Sequence, residues 1–313
     1  MQPHTFQPEP AASEFVLRTL ADSLQRLPAT RELEQRLLAG AGVRLSDLVD
    51  LVGIPAGAES RAALEAVGFR ALGAERRVDG HELFEHAGGL FPLFELGPDA
   101  KRRLFVRVES VIDFLEAAEI AEPLALEGGT GTLVRRALLA RSAEAELWVV
   151  ERRAERRLVA SERALVEGPG DAALARHLEA FRLRPRPADD AEPGFSAALE
   201  RIRAARNELG SATACELFFE AERRYYARKN RAARLLRAQQ DALGFGFANR
   251  DHHTYRSSRP AFRSLVAALE ALGLECRERF YAGADAGWGA QVMEHTETGI
   301  CVFADVDLSP EEV

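Results

Sequence analysis

Asn249-Arg-Asp-His-His-Thr-Tyr-Arg256, followed by a helical run that closes on Leu269-Glu-Ala-Leu-Gly273 and then by Trp288-Gly-Ala-Gln-Val-Met-Glu-His295, is the stretch on which the fold assignment turns. Its residue types predict strand, helix, strand. Metal-binding side chains gather here on predicted strands. A neutral imidazole from one strand and a carboxylate from a later one can meet at one divalent ion, a donor pair that suits Fe(II), Mn(II), Zn(II) or Ni(II).

Working outward, the C-terminal segment has a βαβββ pattern, with strands at 247–257, 274–281, 288–295 and 300–306 and a helix at 260–272. Before it, two helices are expected at 195–208 and 212–243, the second stopped by Gly244. Its Arg223, Arg224, Arg228, Lys229, Arg231, Arg234 and Arg237 suit a solvated basic face. Leu183-Arg-Pro-Arg-Pro-Ala-Asp-Asp-Ala-Glu-Pro-Gly194 has the prolines and like charges of a loop.

A second βαβββ unit is predicted over 101–162, with Leu104–Val108 as its first strand, a helix capped by Ser110, and strands at Thr132–Leu139, Glu146–Val150 and Arg157–Ala160. His81–His86 and Leu90–Glu95 form further short strands, punctuated by Gly88-Gly89 and Gly97-Pro98. From Ser13 to Ala71 the apolar residues fall three and four apart, as in Phe15, Leu17, Leu20 and Leu24 and later Leu48 and Leu51, so helices are expected. The expected organisation is a disordered leader at 1–12, a helical region at 13–75, a strand-rich module at 76–165, a helical insertion at 166–245 and a C-terminal βαβββ module at 246–313.

The chain has 313 residues, 47% hydrophobic and 29% charged, with a formal net charge of −8. Such a balance describes a soluble globular protein and disfavours wholesale nucleic-acid or anionic-membrane binding. Cys215, Cys276 and Cys301 make no disulfide framework and no paired metal spacing, which fits a reducing compartment. Residues 1–12 contain Pro3, Pro8 and Pro10 but no basic and apolar leader pattern, so no signal peptide is expected. No apolar run is long enough to span a membrane. The expected location is the cytoplasm.

An internal echo links distant segments. Gly80-His-Glu-Leu-Phe-Glu-His86 lies over Gly289-Ala-Gln-Val-Met-Glu-His295, and Ala63-Leu-Glu-Ala-Val-Gly-Phe69 over Ala268-Leu-Glu-Ala-Leu-Gly-Leu274. A βαβββ unit that opens with Asp251-His252-His253-Thr254-Tyr255-Arg256 resembles the vicinal oxygen chelate superfamily, which includes glyoxalase I and the extradiol dioxygenases. The resemblance implies an α+β fold whose βαβββ modules curl into a half-open, barrel-like sheet around a divalent metal. It also implies that His252 is a ligand. The superfamily's glutamate normally sits on the last strand of a module, where this chain has Asp305, whereas Glu294 is one strand earlier. The long chain and helical insertion are similar to the 2-oxoadipate dioxygenase/decarboxylase (hydroxyglutarate synthase) family. That likeness implies a His-His-Glu iron site, oxidative decarboxylation of a 2-oxo acid and an arginine on the substrate carboxylate.

Side chains on a strand alternate, so only one of His252 and His253 can enter a cavity. An inward His252 brings Arg256 with it, a guanidinium suited to bidentate binding of a carboxylate. The alternative puts His253 and Tyr255 inside as a core pair. An inward Glu294 among apolar neighbours calls for a metal or a cation. Through the echo, His81 lies on the face equivalent to that of Glu294 and is the third proposed ligand. His86, His253, His295 and Asp305 are the substitutes. Cys301 reads as a core residue, and Gly128-Gly-Thr-Gly131 lacks the lysine of a phosphate loop.

The expected function is that of a metal-dependent enzyme with His252, Glu294 and His81 as ligands. Fe(II) is favoured, with Zn, Mn or Ni as substitutes. Arg256 would anchor a small carboxylate- or carbonyl-containing substrate and Tyr255 would supply a proton. Dioxygenase/decarboxylase and lyase or isomerase chemistry both suit this set. The alternatives are a metal-free small-molecule-binding protein of the same fold and a scaffold acting through the basic helix. A homodimer is compatible with either.

Overall fold

The computed structural model describes residues 8–97, 101–187, 191–248, 252–283, 285–309 and 312. Asn249, Arg250 and Asp251 of the deciding stretch, and residues 1–7 of the expected leader, lie outside the described residues. The fold is α+β, with two open sheets. The chain divides into two compact units, one holding the described residues of 7–170 and 227–249, the other those of 171–226 and 250–313.

In the first unit, α1 (Pro10–Gln25) and α2 (Arg31–Ala41) precede β1 (Val49–Pro55), α3 (Ala58–Ala66), β2 (Arg70–Ala71), β3 (Glu82–Glu85) and β4 (Leu93–Gly97). Pro10 starts α1 because its missing N–H costs nothing in a first turn, so the helix begins inside the expected leader. The helical reading of 13–71 is corrected at β1. This strand is flanked by β4 and β5 (Arg102–Arg107), and six of its seven residues are buried. A strand covered on both faces shows a near-continuous apolar run, so Leu48 and Leu51 carried no usable period.

After β5 come α4 (Val111–Ala117), β6 (Ala125–Glu127), β7 (Val134–Arg141) and β8 (Ala145–Arg152). Ser110 caps α4 as expected, its hydroxyl accepting from the Asp113 N–H at 3.2 Å. The expected strand at Arg157–Ala160 is instead a 3₁₀ turn, Arg156–Ala160. Its Val159 is fully buried in the apolar cluster that holds Leu51, Phe105 and Trp148. The βαβββ unit is completed by β6, which has only three residues and too little sequence to show alternation.

The eight strands run β2-β3-β4-β1-β5-β8-β7-β6. Two βαβββ modules are thus joined edge to edge by the antiparallel pair β1–β5. Within each module the first strand lies parallel to the last, β1 to β4 and β5 to β8. Val52, Phe84 and Phe94 on one face of this sheet pack with Phe15 and Phe69. The Phe94 ring lies 5.5 Å from Phe15 and 5.0 Å from Phe69. Such aromatic pairs contribute about 0.5–1.5 kcal/mol each beyond their buried area.

The second unit holds α5 (Asp171–Arg182), α6 (Ala191–Leu209) and most of α7 (Ser211–Lys229). The single helix expected over 212–243 is two, because Asn230 leaves helical geometry and caps α8 (Arg231–Ala242), its Oδ1 accepting from the N–H groups of Ala232 and Ala233. The chain then forms β9 (His252–Ser257), α9 (Arg259–Leu272), β10 (Glu275–Tyr281), β11 (Trp288–His295) and β12 (Ile300–Asp307). Gly273 ends α9 at φ +99°, a left-handed C-cap. The sheet order β10-β11-β12-β9, with β9 parallel to β12, repeats the arrangement of β2-β3-β4-β1. Its core joins Met293, Val302 and Ala304 to Leu265, Leu269 and Phe219. Among the described residues no helix is long and apolar enough to cross a membrane.

Candidate functional site

Alternation along β9 separates two sets of side chains. His253 and Tyr255 face the helices: the His253 ring stacks on Phe219 with centroids 4.5 Å apart, and Tyr255 packs against the same core cluster. His252, Thr254 and Arg256 face the other way. The pairing register extends that face across the sheet. His252 lies opposite Cys301 on β12, and Cys301 lies opposite Glu294 on β11. Thr254, Phe303 and Val292 form the next row, and Arg256, Asp305 and Ala290 the one after it.

His252 and Glu294 therefore flank Cys301 on one surface. Two strand spacings of about 4.8 Å separate their backbones by roughly 10 Å, a span that an imidazole and a glutamate side chain can bridge to a common ion. Nitrogen and oxygen donors of this kind suit the divalent transition metals. In the structure Glu294 is engaged by Arg277, with Oε2 3.0 Å from Nη1, and the His252 ring leans on Phe303 at 4.5 Å. Among the described residues no three His, Cys, Asp or Glu side chains converge into a group able to hold a metal.

The electrostatics of this face follow from partial burial. Burial, reinforced by the Glu294 charge, raises the Cys301 pKa to about 11, so the thiol is protonated at neutral pH. Asp305 is 8% exposed. Burial raises its pKa, against the opposing influence of Arg256 and His252, and its Oδ1 has no hydrogen-bond partner among the described residues. Arg256 is ion-paired with Asp307 at the end of β12.

No protein-family model and no curated protein matches the chain.

His81 belongs to the other compact unit, where its Nδ1 meets Oε1 of Glu95, a carboxylate with no exposed side-chain surface. The other oxygen of Glu95 accepts from Arg103 Nη2 at 2.7 Å. His86 accepts at Nδ1 from the Gly88 N–H at 3.0 Å and sets its ring edge-on to Phe69 and Phe91. His295 is 2% exposed, and its Nε2 lies 3.3 Å from the Ser211 hydroxyl. These contacts give His86 and His295 structural work in their own cores. Tyr255 sits on the opposite face from His252, and its hydroxyl donates to Glu222 Oε2 at 3.3 Å. Burial, with the Glu222 charge next, raises its pKa well above the usual tyrosine value.

Cys301 is the member of this face that sequence reasoning treated as plain core. Its place was legible in the hairpin: His295 pairs with Ile300, so Glu294 must oppose Cys301.

Proposed function

We propose that the His252-bearing face of the C-terminal βαβββ module is the reactive surface of a metal-dependent enzyme of vicinal-oxygen-chelate type. The observation that carries this reading is the direct register His252–Cys301–Glu294 across three adjacent strands. His252 and Glu294 would hold a divalent ion, Fe(II) in preference to Zn, Mn or Ni. The bound ion would supply Lewis acidity toward a carbonyl or carboxylate oxygen, or a place to orient dioxygen beside the substrate.

The chain's own groups define what such a substrate needs. Arg256, two rows along the same face, presents a guanidinium to an acid group, and the ligand would displace its contact with Asp307. Phe303 and Val292 between these rows form an apolar floor for the substrate body. The Cys301 thiol, protonated, offers a weak donor. Glu294 must leave Arg277 to meet an ion, so metal uptake and rupture of that pair are coupled. A small carboxylate- or carbonyl-bearing substrate, with dioxygenase/decarboxylase or lyase/isomerase chemistry, fits this surface. Tyr255 is left to the helix side of the sheet, where its hydroxyl meets Glu222.

The test is elemental analysis after reconstitution with Fe(II), Mn(II), Zn(II) or Ni(II) and removal of excess ion. Stoichiometric uptake is expected in the parent protein and its loss in His252→Ala and Glu294→Gln, with circular dichroism unchanged. Uptake insensitive to both substitutions overturns the assignment. No uptake at all favours the metal-free small-molecule-binding reading, which the existing Arg277–Glu294 pair also suits.

A further inference from the structure

On the helix side of β9 the second unit contains a cavity of about 280 Å³, bounded by the Arg184-Pro-Arg-Pro187 segment, α6, α7, α9 and Tyr255. Its polar end is an ion cluster. Glu222, 2% exposed, accepts through Oε1 from Arg184 Nη2 at 2.8 Å and from Arg186 Nη2 at 2.6 Å. Tyr255 donates to its other oxygen at 3.3 Å. Arg256 also borders the cavity, but its charge is matched by Asp307.

Among the described residues, two guanidiniums here face one carboxylate, which leaves one positive charge in excess beside an apolar chamber. The Nε–H groups of Arg184 and Arg186 are buried with no hydrogen-bond partner among the described residues. Both arginines sit over aromatic rings, Arg184 over Phe218 at 5.4 Å and Arg186 over Tyr225 at 3.9 Å. Pro185 and Pro187 stiffen the backbone that carries them. Unmatched charge and unused donors are costly next to apolar walls. A planar anion in the cavity would balance that charge, because guanidinium donors match a carboxylate in two-point geometry.

We propose that this cavity binds a small amphipathic monocarboxylate, its acid group on Arg184 and Arg186 and its apolar body against the Phe218 wall. The volume, near the lower end of small-molecule pockets at about 300 Å³, suits a single ring or a short branched chain. The one excess charge selects a monoanion over a phosphate dianion, which would add a second charge facing Glu222. The site lies on the opposite face of β9 from His252 and needs no metal, so it stands or falls separately from the enzymatic reading.

The probe is 4-fluorobenzoate, titrated by fluorine NMR into the full chain with chelator present. Saturable binding is expected, with 4-fluorobenzyl alcohol failing to saturate. Arg186→Gln should weaken 4-fluorobenzoate binding at least tenfold. Ala268→Leu, which narrows the chamber while leaving the ion cluster intact, should also weaken it, and it decides the matter if Arg186→Gln does not fold. Absence of saturable binding to the parent protein overturns the proposal, as does equal binding of the alcohol or unchanged affinity in folded Ala268→Leu. Tighter binding of phenyl phosphate than of 4-fluorobenzoate overturns the carboxylate assignment.

Discussion

Arg186, in the segment after α5, donates through Nη2 to Glu222 Oε1 on α7 at 2.6 Å, across 36 residues of sequence. Arg184 reaches the same oxygen. Glu222→Gln keeps the side-chain volume but leaves two largely buried guanidiniums without their counter-ion. Removing one partner of a buried ion cluster costs about 3–5 kcal/mol. The low end, about 3 kcal/mol, is expected because the arginine side chains remain 14% and 15% exposed. Urea denaturation of the two proteins measures it, and a loss below about 1 kcal/mol would show the cluster to be solvated.

Gly244 follows α8 at φ +81°, where a Cβ would stand 2.6 Å from the Phe114 Cα and 2.8 Å from the Ala117 Cβ. Both neighbours belong to α4 and cannot swing aside as a flexible side chain would. Gly244→Ala is expected to cost about 2–4 kcal/mol, combining left-handed strain with overpacking. Gly42→Ala serves as the control: its φ is +67° but nothing lies within 4 Å, so only about 1 kcal/mol is expected. Equal losses at the two positions in thermal or urea unfolding would contradict the steric argument.

Asp305 is more easily protonated in the folded chain than its ordinary value of 3.8, chiefly through burial. A carboxyl group with a raised folded pKa disfavours the folded state once it ionises, and this penalty fades as pH falls through the folded value. Asp305→Asn should therefore raise the thermal midpoint at pH 7, and its advantage should shrink as pH falls below that of the ionised range. A midpoint lowered at pH 7 would instead assign the carboxylate a stabilising partner on this face.

Much of the C-terminal module was legible in advance. Apolar spacing over 260–272, the glycine after it and the alternation of 288–295 are local signals, and each arises from how one element buries one face. Asn230 was missed because four basic residues before it and three after it suggest one continuous polar helix, whereas its side chain caps a new one. β6 was missed because three residues carry no period.

What local chemistry specified was the kinds of element, the alternation that parts His252 from His253, and the residues able to ligate or carry charge. Tertiary pairing decided the rest. Two modules joined through β1 and β5 buried both faces of β1 and erased the pattern by which a strand is recognised. The strand register brought His252, Cys301 and Glu294 into one row, and helix packing set Glu222 against Arg184 and Arg186. His252 and Cys301 are 49 residues apart in the chain, and Glu222 is 38 from Arg184 and 36 from Arg186, and no short-range preference fixes which of many equivalent charges meet once the solvent is excluded.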